Sequence, residues 1–348
     1  MSQPETVQTP NVVASFDEPA PGALRRVQRF LHQNPTVVPA IVLLLAIGLF
    51  SMIVGSRFYH PMNLSLIMQQ VTLIGILGIA QTLIILTAGV DLSVGAIMVL
   101  ASVIMGKLAV SVGLPPAVAF AIGIASGAAC GFINGVLVTY VRLPPFIVTL
   151  GTWNMFFALN LWYSSSTTIR SQDVAAEAAF LQWLSTSISI GGARFTYGVI
   201  FLIILAVIFW HILNRTAWGR HIYAVGDDVE AARLAGIRTN KVLLQVYVVA
   251  GIICALGAWA LIGRIGSVSP QAGQLANLDS ITAVVIGGTS LFGGRGSILG
   301  TLFGALIVAA SRNGLSLAGV EVLWQDFTVG FLIIVAVALD QWIRRVSA

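Results

Sequence analysis

The chain has 348 residues, of which 57% are hydrophobic and only 9% charged, with a mean hydropathy of +0.93. That composition excludes an ordinary soluble domain and fits an all-α polytopic membrane protein. Its net charge of +5 is spread among apolar runs of bilayer length and forms no basic face, so the cations read as topology signals rather than as a nucleic-acid surface.

Residues 1–35 are polar and proline-rich, with no apolar core and no small-residue cleavage site; they read as a disordered cytoplasmic tail, not a signal peptide. Arg25, Arg26 and Arg29 precede the first apolar run and favour keeping this end inside. From residue 36 onward the chain reads as one transmembrane domain. Apolar segments lie near 36–55, 64–87, 92–110, 116–140, 146–163, 197–213, 242–263, 279–292, 297–313 and 325–343, which makes about ten crossings. With the tail inside, twelve of the eighteen Lys and Arg fall on the cytoplasmic side, which predicts that both termini are cytoplasmic. The eighth segment is short and ends in glycines. It is expected to be a half-helix or a broken one, its backbone satisfied by protein or by a water-filled cavity.

Asp91 stands alone in "LIILTAGVDLSVGAIMVLAS", residues 83–102. Gly89 interrupts the apolar run, and "DLSVG" can start a new helix whose first amides, those of Ser93 or Val94, donate to the Asp91 carboxylate. Alternatively the broken helix lines a pathway, where the carboxylate takes charge-assisted hydrogen bonds from hydroxyl groups. The two readings are compatible. Further along, Gly123, Gly127, Gly131 and Gly135 recur every four residues, as do Gly296, Gly300 and Gly304. Such small-residue stripes let helix backbones touch. Cys130 and Cys254 each sit inside an apolar run, so buried thiols are expected instead of a disulfide framework.

Two polar stretches interrupt the apolar pattern. The outer one, residues 164–196, contains a helix-like "DVAAEAAFLQWL" with Asp173 and Glu177 on one face; it reads either as a docking surface for an extracytoplasmic partner or as a helix on the membrane surface. The inner one, 214–242, holds the densest internal charge. There Asp227 can cap a helix of about two turns whose third position is Glu230, and Gly236 suits a left-handed stop. Ala231, Ala232 and Ala235 offer a face that another protein can approach closely. The stretch is either a well-capped loop or a docking knob.

The glycine-rich "GGTSLFGGRGSILG" is not a nucleotide site. Gly294 and Arg295 stand where a P-loop needs Lys and Ser or Thr, and no strand or correct spacing supports a dinucleotide fingerprint. No catalytic constellation or metal-ligand spacing involves His32, His60, His211 or His221, so neither an enzyme nor a resident metal or cofactor is expected. The remaining polar residues within segments, among them Gln81, Thr87, Asn134, Asn154 and the neighbouring Trp153, outline with Asp91 and Ser93 a candidate pathway of neutral donors and acceptors, suited to an uncharged polar solute. An ion-coupled carrier would need more mid-membrane carboxylates or histidines, and stands as the alternative.

Four runs, "LTAGVDLSVGAIM", "VRLPPFIVTLGTWNMFFALNL", "GRHIYAVGDDVEAARLAGI" and "VIGGTSLFGGRGSILGTLFGALI", resemble the permease subunits of bacterial ABC sugar importers of the ribose, xylose, arabinose and fructose type. The resemblance implies an inner-membrane permease pairing with a second copy of itself, a cytoplasmic ABC ATPase that uses the ATP, and a periplasmic sugar-binding protein. It also implies that Asp227, Glu230, Ala231, Ala232 and Gly236 belong to a cytoplasmic coupling helix seated in the ATPase. A permease for branched-chain amino acids is a related alternative, whose zwitterionic cargo would favour more charge along the path.

Overall fold

The computed structural model describes residues 36–273 and 275–345. The expectations for the tail, with Arg25, Arg26 and Arg29, fall outside these residues. All ten apolar segments carry a helix: α1 (Val37–Val54), α2 (Pro61–Leu86), α3 (Val94–Gly106), α4 (Pro116–Thr139), α5 (Pro145–Ser164), α7 (Tyr197–Arg215), α10 (Thr239–Ile265), α11 (Ala276–Ile286), α12 (Ile298–Leu317) and α13 (Val322–Arg345). Among the described residues seven helices are long and apolar enough to cross a bilayer, and α11 and the apolar part of α13 are shorter. The glycine-ended eighth segment is the broken one, since α11 has 11 residues and gives way to an irregular glycine-rich loop.

Local chemistry sets the helix limits. Proline occupies the first turn of α2, α4 and α5, after a residue held in extended conformation. Gly266, at φ +78°, stops α10 in the left-handed region. The outer stretch departs from the expected single helix. It divides at Ala178 into α6 (Ser171–Glu177) and a 3₁₀ turn (Ala179–Ser185), then runs into the antiparallel hairpin β1 (Ser187–Ile190) and β2 (Ala193–Thr196). The inner stretch forms α8 (Ala217–Asp227) and α9 (Val229–Leu234).

Helices α2 and α10 are the most enclosed elements, with α10 packed on α4, α2 and α3, and α12 on α11, α2 and α1. Both glycine stripes lie in these seams. A Cβ at Gly127 would come 2.5 Å from the Gly251 carbonyl oxygen of α10, and one at Gly131 would overlap the Tyr247 carbonyl. One at Gly304 would overlap the Ala283 carbonyl of α11. Backbones therefore touch directly, as in small-residue membrane packing. Cys130 and Cys254 are buried free thiols. Large apolar side chains such as Leu44, Leu45 and Met52 on α1, and Ile203, Ile204 and Val207 on α7, face outward, as lipid-contacting faces require.

Candidate functional site

The chain breaks helix between α2 and α3 because Thr87, Ala88 and Gly89 leave the helical path, Ala88 at φ +59°. The following non-helical segment is largely enclosed by the protein, so its polar groups need partners there. Asp91, 2% exposed, accepts from the Ser93 amide and the Ser93 hydroxyl, each at 2.6 Å. Asn134 of α4 donates to Ser93 Oγ at 2.8 Å and, more weakly, to Asp91 Oδ2 at 3.4 Å. The Val90 carbonyl accepts from the Thr149 hydroxyl of α5 at 3.1 Å, and the Leu92 carbonyl from the Asn277 amide of α11 at 3.1 Å. Of the two amides expected to reach Asp91, Ser93 does so, and Ser93 itself occupies the N-cap position of α3.

Beside this segment lies a cavity of about 500 Å³, walled by Leu92, Gly95, Val99, Trp153, Phe157 and Asn277 among others. Its size falls within the range of small-molecule sites. Trp153 and Phe157, one turn apart on α5, present aromatic faces, and Asn277 supplies an amide. None of its described lining residues is ionisable.

The seven candidate pathway residues separate. Trp153 lines the cavity; Asp91, Ser93 and Asn134 form the buried cluster flanking its wall residue Leu92. Gln81 is wholly buried in α2, and neither of its amide atoms has a partner among the described residues. Thr87 donates to the Ile84 carbonyl at 2.8 Å, and Asn154 is exposed, its amide donating to the Leu150 carbonyl. The sequence reading missed Phe157 and Asn277. Phe157 shares a helical face with Trp153, and Asn277 precedes the point where the eighth segment was begun. It also passed over Arg312 of α12, which pairs at 2.7 Å with both Asp279 of α11 and Asp326 of α13.

In the inner stretch the cap expected at Asp227 sits one residue on. Asp228 accepts from the Glu230 and Ala231 amides at 2.8 and 3.0 Å, while Asp227 ends α8. The shift arises because Ile222, Val225 and Gly226 are buried and hold α8 helical through Asp227. Gly236, at φ +85°, closes α9 as expected. Ala232 packs inward, whereas Glu230, Ala231, Ala235 and above all Leu234, 85% exposed, face out. Glu230 pairs with Arg233 on the exposed surface. Leu234 is a further candidate contact that attention to the alanines overlooked. A cavity of about 440 Å³, lined by Trp218, His221, Gly236, Arg238, Lys241 and Gln245 among others, flanks the loop. Among the described residues no group of three or more His, Cys, Asp or Glu is placed to hold a metal ion.

Residues 63–337 match the family described as the permease component of branched-chain amino acid transport systems. The chain is 56% identical over 336 residues to the fructose import permease protein of Rhizobium meliloti, covering 97% of this chain and 93% of that one. It is 37% identical over 304 residues to the ribose import permease protein of Bacillus subtilis, covering 85% and 91%. To the D-allose transport system permease protein of Escherichia coli it is 34% identical over 305 residues, covering 87% and 91%. No solved structure matches it. The match spans the broken helix, the cavity and the α8–α9 loop alike, and the chain belongs to this family of ABC importer permease components, multi-pass proteins of the inner membrane.

Proposed function

We propose that this chain forms the membrane pathway of an ATP-driven, binding-protein-dependent monosaccharide importer whose cargo is fructose, and that it works as a pair of identical subunits. The observation that carries the sugar is the 56% identity, along nearly the whole chain, to a fructose import permease. The cavity supports the same class. An aromatic pair offers apolar faces to the C–H side of a sugar ring, the Asn277 amide can serve hydroxyl groups, and no described lining residue carries the charge that a zwitterionic amino acid would call for.

ATP is bound and hydrolysed by a separate cytoplasmic ATPase, which receives α9 in a groove through Leu234, Ala231, Glu230 and Ala235. The outer stretch, α6 to β2, meets a periplasmic sugar-binding protein, and the two permeases rock against one another to expose the cavity to the delivered sugar. Tight binding in the permease would slow release, so selectivity rests mainly with the binding protein.

The test is uptake of labelled fructose, ribose and leucine into proteoliposomes holding this chain with its ATPase and binding protein. Fructose uptake that requires all three components and ATP is expected, and Glu230→Lys should lower the sugar moved per ATP at least fivefold. Uptake of leucine instead, or uptake by this chain alone that an ionophore abolishes, overturns the reading.

A further inference from the structure

The glycine-rich loop after α11 lacks the spacing of a nucleotide motif, and it is built to close tolerances against two other backbones. Gly294 donates its amide to the carbonyl of Leu86, at the end of α2, at 3.0 Å. Gly226, at the end of α8, lies so close that a Cβ there would overlap the Leu86 carbonyl oxygen and sit 2.7 Å from the Gly294 nitrogen. A Cβ on Gly293 would in turn stand 2.5 Å from the Gly226 oxygen and 2.9 Å from the Ala88 Cβ. Gly293 and Gly294 have φ of +83° and +70°, so both close approach and left-handed backbone call for glycine. Tyr223, one turn before Gly226, donates its hydroxyl to the Gly296 carbonyl at 2.9 Å. Burial pushes that phenol above its ordinary range, which keeps it a donor.

Three backbones thus meet directly at Leu86, Gly226 and Gly294, with no flexible side chain among the nearest atoms to yield. On one side Gly226 is two residues from Asp228, the cap of α9. On the other, Leu86 is joined through the broken segment to Leu92 in the cavity wall. Close-packed atoms of this kind transmit displacement instead of absorbing it.

We infer that Gly226, Gly293, Gly294 and Tyr223 form a joint that carries movement of α9 to the α2–α3 break, so that the cavity wall at Leu92 shifts when the ATPase closes. The inference rests on the reading of α9 as the ATPase contact. Tyr223 and Gly226 act in it as positioning residues, since neither touches the cavity.

The experiment uses the assembled transporter in proteoliposomes with Leu92→Cys in a chain whose Cys130 and Cys254 are replaced by alanine, labelled by a water-soluble methanethiosulfonate. The labelling rate with ATP and vanadate is expected to differ several-fold from that without nucleotide. Tyr223→Phe, which removes one hydroxyl and no packing, should reduce the difference at least twofold while ATP hydrolysis continues and the rate without nucleotide is unchanged; Gly226→Ala, whose methyl group must displace the Leu86 carbonyl, should abolish the difference and also shift the rate without nucleotide. A parent whose labelling ignores nucleotide overturns the pathway reading and the joint together. A parent that responds, with a Tyr223→Phe variant that responds equally, overturns the joint alone.

Discussion

Asp91 and Gln81 are both buried polar side chains, and their surroundings differ. Asp91 is served by the Ser93 amide, the Ser93 hydroxyl and Asn134, so its carboxylate is held in a purely local turn extended by one contact from α4. Gln81, 0% exposed, has an amide nitrogen and an amide oxygen with no partner among the described residues. A buried amide left unpaired costs about 1 to 3 kcal/mol, so a side chain of similar shape without the amide should stabilise this conformation. Gln81→Met is expected to raise the midpoint of thermal unfolding in detergent by a few degrees, and, on the proposal that this amide serves the cargo when the cavity opens, to lower uptake. A raised midpoint with unaltered uptake would show the residue to be structural alone. The local half of this chemistry was legible in the sequence: Asp91 and Ser93 are two residues apart, and an aspartate turn needs nothing further. Asn134, 43 residues away from Asp91, was visible as a polar residue in an apolar run but not as this carboxylate's neighbour, because contacts across helices follow from packing and not from spacing.

Among the elements, α9 tests what a single position decides. Two adjacent aspartates offered two capping registers, and Asp227 gave the better sequence match because it set Glu230 at the third helical position. The buried apolar face of α8 overruled that match by keeping Asp227 helical. Loss of a cap costs about 1 kcal/mol, a large share of what holds a six-residue helix together. Asp228→Ala should therefore speed amide hydrogen exchange across residues 229–234 several-fold and reduce the sugar moved per ATP, whereas Asp227→Ala should leave exchange there within twofold of the parent. The reverse ranking would restore the register that the sequence favoured. Helix existence was readable throughout because apolar runs of bilayer length admit little else, and Gly236 marked its stop correctly. The outer stretch was less so. Its single expected helix divides at Ala178, φ −139°, where the chain turns to bury Leu181 and Leu184 against the bundle, a demand of tertiary packing that local propensity does not express.

Over the whole molecule, the broken helices α3 and α11 meet at the cavity, and what fixes one against the other is spread across four elements. Asn277 ties α11 to the Leu92 carbonyl, and two residues further on Asp279 ties the same helix to Arg312 of α12, which also holds Asp326 of α13. Asp279, Arg312 and Asp326 lie in three successive apolar segments, and the sequence gave no sign that they converge. Removing the shared cation leaves two carboxylates facing one another. Arg312 and Asp279 are largely buried and Asp326 is about one-third exposed, so solvent screens part of the effect, and a cost of roughly 1 to 3 kcal/mol follows from the range between surface and buried pairs. Arg312→Gln should lower the unfolding midpoint and slow uptake by loosening α11 at the cavity. If charge imbalance is the cause, neutralising all three, as Arg312→Gln with Asp279→Asn and Asp326→Asn, should recover most of the midpoint, since amides of matching shape can hydrogen-bond without a cation. A triple variant no more stable than the single one would show instead that the guanidinium, through its fixed fork of donors, is what holds the three helices in register.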